Sequence, residues 1–177
     1  ASAPFVLSQV LMAQGEDMRG ALVRGIDPAQ EAAVTDVVAA MDPGVLAKLT
    51  PGGFGVVLGS EMARNLGVKA GDRVTLVAPG GQVTPAGVVP RLKQLHVVGL
   101  LDTGHFEYDA SLAMLHIRDA ERILRLEGPN GIRVKLKDAQ RAREVAAELT
   151  PILSADVLVR DWTRANRNWF AAVQIEK

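Results

Sequence analysis

Apolar and polar positions along the first part of the chain predict a hairpin, then short helices between strands. Pro4 to Ala13 (PFVLSQVLMA) and Gly20 to Ile26 (GALVRGI) read as β-runs, and the polar Gln14-Gly15-Glu16-Asp17 between them predicts their turn. Asp27-Pro28 supplies an N-cap and a first-turn proline, which predicts a helix through Ala40, closed by Asp42-Pro43-Gly44. A short helix is expected at Val45 to Leu49, before Pro51-Gly52-Gly53 breaks the chain. Phe54 to Leu58 predicts a strand. Ser60 is placed to cap a helix running to Leu66, with Glu61 near its positive end and Gly67 as its C′ glycine.

Two β-type runs then flank a long insert. Val74 to Val77 precedes it and Leu95 to Val98 follows it, both rich in β-branched residues. Between them lie Pro79, Pro85 and Pro90 with Gly80, Gly81 and Gly87, and no acidic residue. Proline fixes φ and removes a donor, so the insert is expected to interrupt the strand ladder. It is expected to project as a stiffened arm.

Beyond the arm, Gly99 to Leu101 continues its second strand to a turn at Asp102-Thr103-Gly104. Ser111 to Ile117 predicts a strand, and Asp119 to Leu126 has helical spacing. Gly128-Pro129-Asn130-Gly131 is the expected internal boundary. After it, a strand (Ile132, Val134, Leu136), a helix (Ala139 to Leu149) and a strand (Val157 to Val159) predict a β-α-β unit. Trp162, Ala165, Trp169 and Val173 share one stripe of a terminal helix.

Composition narrows the function. Lys plus Arg is 20 and Asp plus Glu is 20, so no global field favours nucleic acid or an acidic surface. There is no cysteine, which removes disulfides, thiol nucleophiles and thiolate metal sites. No apolar run is long enough to span a bilayer. Ala1 to Val10 already reads as strand, as expected of a domain excised from a longer chain.

Candidate chemistry is sparse. Gly53-Phe54-Gly55 with Gly59 has a strand inside the glycine pattern, against a dinucleotide loop. Ser60 stands in Gly-Ser-Glu rather than a nucleophile elbow. His105, Glu107 and Asp109 alternate, so in an extended segment they would share a face and could hold a metal; solvent-facing groups are the plainer reading. His96 and His116 lie inside strand patterns and are expected to pack there. No catalytic residue, metal or cofactor is assigned.

Four stretches carry a family resemblance. They are Gly55 to Glu61 with Leu66 to Asp72; Phe106 to Asp109 with Ser111 to Ala113; Ile132 to Leu136; and Arg160-Asp161-Trp162 through Asn168 to Lys177. In order and spacing they resemble the periplasmic domain of lipoprotein-releasing ABC transporter permeases, the LolC/LolE family with its MacB-like periplasmic core. The resemblance implies an α+β fold of two subdomains. One is a β-α-β (Porter-like) subdomain from both chain ends, residues 1–44 and 129–177. The other is an inserted mixed α/β (Sabre-like) subdomain, 45–128, carrying a protruding hairpin, the Hook, at about 79–90. It also implies a strand and helix before Ala1. Members that engage the soluble lipoprotein carrier resemble one another in a T-P-x-G-x-x-P pattern, here Thr84-Pro85-Ala86-Gly87-Val88-Val89-Pro90. The resemblance makes Val83 to Pro90, with Arg91 and Lys93 at the base, the expected carrier-binding residues; Leu92 stands where a polar residue is expected. Implied partners are a LolA-like periplasmic carrier, lipoprotein cargo, an ATPase subunit and a second permease copy, with no nucleic acid. The setting implied is the periplasmic side of a bacterial inner membrane, with ATP hydrolysis on the separate subunit.

Two other classes remain open. Leu66 to Val74 also resembles turns of small substrate-recognition β-barrels, and a hydrolase at His105, Glu107 and Asp109 is the enzymatic alternative.

Overall fold

The computed structural model describes residues 1–165. Its contacts divide the chain into two compact units, Ala1–Val134 and Lys135–Lys177. In the first, β1 (Ser2–Gln14) and β2 (Asp17–Ile26) form the expected hairpin, paired from Phe5↔Ile26 to Gln14↔Asp17. Gly15 takes the turn at φ 59°, where a side chain is disfavoured.

Asp27 caps α1 (Pro28–Glu31) as expected, its Oδ1 accepting from the Ala29 amide at 3.0 Å. The helix stops after one turn instead of reaching Ala40. Thr35 Oγ1 takes the Val37 amide at 3.3 Å, so the side chain offers the backbone a partner that competes with the helix. The chain then crosses the sheet through 3-10 turns at Val37–Ala40 and Leu46–Lys48. This path lays Met41, Val45 and Leu49 over Ile26, Val57, Leu101, Leu112 and Met114 to form a second core.

β3 (Gly55–Gly59) leads directly into α2 (Ser60–Leu66). Gly67 closes that helix at φ 68°, as its sequence position predicts. Ser60 opens the helix but does not cap it; Gly59 occupies the cap position, with no side-chain hydrogen bond there. Any Cβ at Gly59 would lie 2.2 Å from the Asp109 carbonyl oxygen. That contact brings α3 (Phe106–Ser111) against the start of α2.

β4 (Arg73–Thr84), β5 (Gly87–Leu101), β6 (Leu112–His116), α4 (Ile117–Leu124) and β7 (Gly131–Val134) complete the unit. The sheet order is β2-β6-β3-β5-β4-β1-β7, and β2 also pairs with β1, so six strands close a circuit. β2–β6 and β3–β5 are parallel and the other pairings antiparallel, an α+β fold on one mixed sheet. All six circuit strands send alternate residues, among them Val6, Val23, Leu58, Leu76, Leu95 and Leu115, into one core capped by Met62 of α2 and Ala120 of α4. Each such fully buried side chain stabilises the fold by about 1.5–3 kcal/mol.

The second unit carries a 3-10 turn (Ala139–Arg141), α5 (Ala142–Leu149) and α6 (Trp162–Ala165). Trp162 Nε1 donates to the Ala139 carbonyl at 2.8 Å, which ties the start of the stripe helix to the turn before α5. Trp169 and Val173 lie outside the described residues. The expected strand at 157–159 is absent: Val157 closes a turn on the Ser154 carbonyl at 2.9 Å. The strand expected to pair with it, β7, is matched to β1 through Ser2↔Val134 to Phe5↔Gly131.

One charged pair is buried in the first unit. Arg24 Nη2 meets Glu31 Oε1 at 2.6 Å, with both side chains almost fully covered. The contact is an ion pair rather than an aligned hydrogen bond, since these buried atoms find no hydrogen-bond partner. Burial, then the Arg133 charge, lowers the Arg24 pKa to about 10, with Glu31 opposing. Burial pushes the Glu31 carboxyl up, and Arg24 and Arg133 pull it back. Removing one member strands the other in the interior. Glu31→Ala is therefore expected to lose about 3–5 kcal/mol in urea denaturation. Arg24→Met with Glu31→Leu should lose much less, and equal losses would show that the pair is uncoupled.

Candidate docking arm

The arm is a hairpin whose lower half is part of the core. At its base Leu76 and Leu95 are fully buried, whereas Val83, five residues from the last buried position of β4, is 82% exposed. The ladder runs from Arg73↔His96 to Ala78↔Arg91 and resumes at Gln82↔Val89, Val83↔Val88 and Thr84↔Gly87. The ladder is interrupted there, as the sequence leads one to expect, but it resumes beyond the prolines. Pro79, Gly80 and Gly81 bulge out of β4 opposite Pro90, in the gap where neither proline needs to donate. Pro85 and Ala86 form the two-residue tip, clamped by the Thr84 hydroxyl donating to the Gly87 carbonyl at 2.8 Å. Gly87 sits at φ 120°, which a larger residue rarely adopts.

The ten expected site residues separate by role. Pro85, Ala86, Gly87 and Pro90 are exposed and Thr84 is half-buried. Val83 and Val88 are opposite one another on one face, 82% and 67% exposed, and Val89 shares the other face with Gln82. Arg91 is occupied: Nε donates to the Gly80 carbonyl (3.2 Å), Nη2 to that of Pro79 (3.1 Å) and Nη1 to that of Ile123 (3.2 Å). Its guanidinium closes the bulge and fastens it to the end of α4. Lys93 stands with Nζ 3.9 Å from the centre of the Phe54 ring, a cation–π contact. Phe54 is held in turn by α4, since the buried Asp119 carboxylate accepts the Gly52 amide at 2.6 Å and the Phe54 amide at 2.9 Å. Leu92 is 62% exposed and adds apolar surface beside the arm. Leu92 is the position where the family resemblance leads to the expectation of a polar residue.

The other candidates disperse. His105, Glu107 and Asp109 fall on α3 and its cap instead of an extended segment, and among the described residues no group of three or more such side chains can hold a metal. Asp109 turns inward. Burial pushes its carboxyl up, but the Thr103 amide and hydroxyl, each at 2.8 Å, and the Gly104 amide at 3.1 Å outweigh that and hold it below the usual range. His96 is exposed rather than packed, and half-buried His116 accepts the Arg118 amide at 3.2 Å as the cap of α4.

Two outcomes follow from this geometry. With its carboxyl lowered in the folded state, Asp109 contributes stability that is full above its unfolded value near 3.8 and is lost as pH falls through the folded value. Urea midpoints measured downward from pH ~6 should show this loss, and Asp109→Asn should remove it while costing about 1.5–3 kcal/mol at neutral pH. Arg91→Ala should speed amide exchange at Gln82 and Val89, because the bulge loses two donors and its tie to Ile123 of α4. Unchanged exchange there would mean that Arg91 does not hold the arm.

The sequence profile of MacB-like periplasmic core domains matches residues 1–152. A lipoprotein-releasing system transmembrane protein LolC from Neisseria meningitidis serogroup B is 48% identical over all of this chain and 43% of its own length. A LolC from Xylella fastidiosa is 39% identical over 99% of the chain and 42% of its own length. The chain thus spans less than half the length of these curated relatives. Among solved structures, the extracellular domain of the ABC-type transporter YknZ from Gram-positive bacteria aligns with 86% of this chain and 73% of its own, at a TM-score of 0.51 and 14% identity, a likeness of fold alone. The chain belongs to the family of MacB-like periplasmic core domains, and its sequence likeness is to the LolC type.

Proposed function

We propose that the chain is the periplasmic domain of an inner-membrane ABC transporter permease that releases lipoproteins and hands them to a soluble periplasmic carrier. The observation that carries this reading is the arm: a braced hairpin that holds Val83, Val88 and Val89 in solvent. Isolated exposed apolar residues need no explanation, but a clustered set on a projecting ribbon marks an interaction surface. Three prolines and a bonded bulge leave few conformers to freeze on binding, so little ordering entropy opposes association. The partner in this reading is a LolA-like carrier, as the family resemblance implies, with an apolar cavity that the tip from Val83 to Pro90 enters. Arg91 and Lys93, both engaged at the base, act on the carrier through their charge at longer range. The domain itself is non-catalytic in this reading, with ATP hydrolysed by a separate subunit that works with two permease copies. The division into a subdomain of 1–44 with 129–177 and another of 45–128 belongs to the same proposal.

The test is a calorimetric titration of the carrier into the chain. Pro85 is exposed at the tip and makes no ladder bond, so Pro85→Asp should leave the melting temperature unchanged and reduce affinity about a hundredfold or more, the loss typical of a central contact residue. Unaltered affinity in that variant would remove the arm as the docking site.

A further inference from the structure

The turn before β3 puts a bulky side chain where a glycine is expected. Gly52 is left-handed at φ 83°, yet the residue two further on, at φ 50°, is Phe54. A bulky residue seldom adopts that backbone, and such strain persists only where the surroundings impose it. Here they do. The buried Asp119 carboxylate accepts the Gly52 and Phe54 amides, at 2.6 and 2.9 Å, and the Phe54 carbonyl accepts the His96 amide of β5 at 3.0 Å. Both backbone polar groups of Phe54 are tied, one to α4 and one to β5, so its Cα–Cβ bond points one way. The half-buried ring packs on the core, lies 3.9 Å from Lys93 Nζ and lines a cleft of about 400 Å³ beside the arm. A leucine would fill such a position as well; only an aromatic face also attracts a cation. Lys93 is half-buried opposite fully buried Leu76, so the contact stands where the hairpin leaves the core.

We propose that Phe54 is a positioning residue for the arm: its ring, set by the strained turn, holds Lys93 and with it the angle at which β4 and β5 leave the core. The inference rests on the docking role given to the arm. Toward the tip, β3 pairs with β5 no further than Gly55↔His96, and β1 with β4 no further than Leu11↔Val77. Beyond those pairs the ribbon is tied to the body by side chains, Arg91 to the Ile123 carbonyl and Lys93 to the Phe54 ring. One tie would leave a hinge, whereas two at different points fix an angle. A tip already held at its binding angle loses less freedom on association.

The experiment measures amide exchange at Gln82 and Val89 in the full chain, together with carrier affinity by calorimetric titration. Phe54→Leu keeps apolar bulk and the same backbone strain but removes the ring, Phe54→Tyr keeps the ring, and Lys93→Met keeps the stem without its charge. Phe54→Leu and Lys93→Met should each speed exchange about two- to fivefold, and the double variant no more than either alone. Phe54→Tyr should exchange as the unaltered chain does. Exchange at the buried Leu58 amide should not follow this pattern, which separates a loosened arm from a weakened core. Phe54→Leu should also bind the carrier about threefold or more weakly, with Phe54→Tyr unaltered. Lys93→Met is read by exchange alone, because its charge has its own part in the docking reading. Independent effects of the two single variants, or an unaltered exchange rate in Phe54→Leu, overturn the positioning role. Coupled exchange with unaltered carrier affinity in Phe54→Leu also overturns it and leaves the arm reading standing. No carrier binding by the unaltered chain overturns the arm reading, and the positioning role with it.

Discussion

The pairing of β4 with β5 is the constraint on which the arm depends. The same two strands begin as interior walls of the core and end as a free ribbon, so the arm inherits its direction from buried residues. A hairpin alone in water is marginal. Here its base is fixed by the burial of Val74, Leu76, Leu95 and Val97, while β3 flanks β5 and β1 flanks β4. The arm therefore costs little to hold in one orientation, because the ordering is already done by the sheet.

A second set of contacts keeps the free half from swinging. Asp119, buried in α4, fixes the turn before β3 through two amides, and that turn sets the Phe54 ring against Lys93. Arg91 reaches from β5 to the carbonyl at the other end of α4. One short helix thus braces the arm from both sides of its base. Each brace uses a charged group on backbone atoms or a ring, which gives a direction that apolar contact lacks. This is why Arg91, expected from sequence to present its charge to a partner, serves first as part of the frame.

What could be read from sequence was what local chemistry decides. The helix from Ser60 to Gly67 was placed to within one residue, with Gly59 rather than Ser60 at the cap, because a strand end, a helical run and a left-handed glycine all agree. The β1–β2 hairpin was legible for the same reason. The helix expected through Ala40 failed because the second core requires the chain to spread Met41, Val45 and Leu49 across the sheet, a long-range demand invisible in the segment itself. The strand expected at 157–159 failed similarly, since alternation shows capacity to pair but not whether an edge is on offer. In the arm, the prolines were read as interrupting the ladder; Pro79 and Pro90 do so at the Pro79-Gly80-Gly81 bulge, but pairing resumes beyond it as far as the turn at Pro85. Of the candidate arm, the projecting tip was legible in the Thr-Pro-x-Gly-x-x-Pro pattern that the family resemblance marks. The cleft beside the arm was not, because only the fold brings the end of α4 beside the hairpin.

An exposed apolar ribbon carries a hazard, since a hairpin with two free edges invites pairing with another strand. The same prolines answer it. Pro79 and Pro90 remove donors from both edges, and Pro85 does so at the turn, so no uninterrupted row of amides faces a neighbour. The bulge adds local twist, which a flat partner strand cannot follow. Gly81 brings the strands close enough that any Cβ there would meet Val88 Cγ1 at 2.3 Å, so the twist is packed in place. An arm that lacked these features could expose valines only at the risk of joining its own copies. With them, its apolar side chains stay available to a cavity that encloses the tip, and its backbone stays closed to edge pairing.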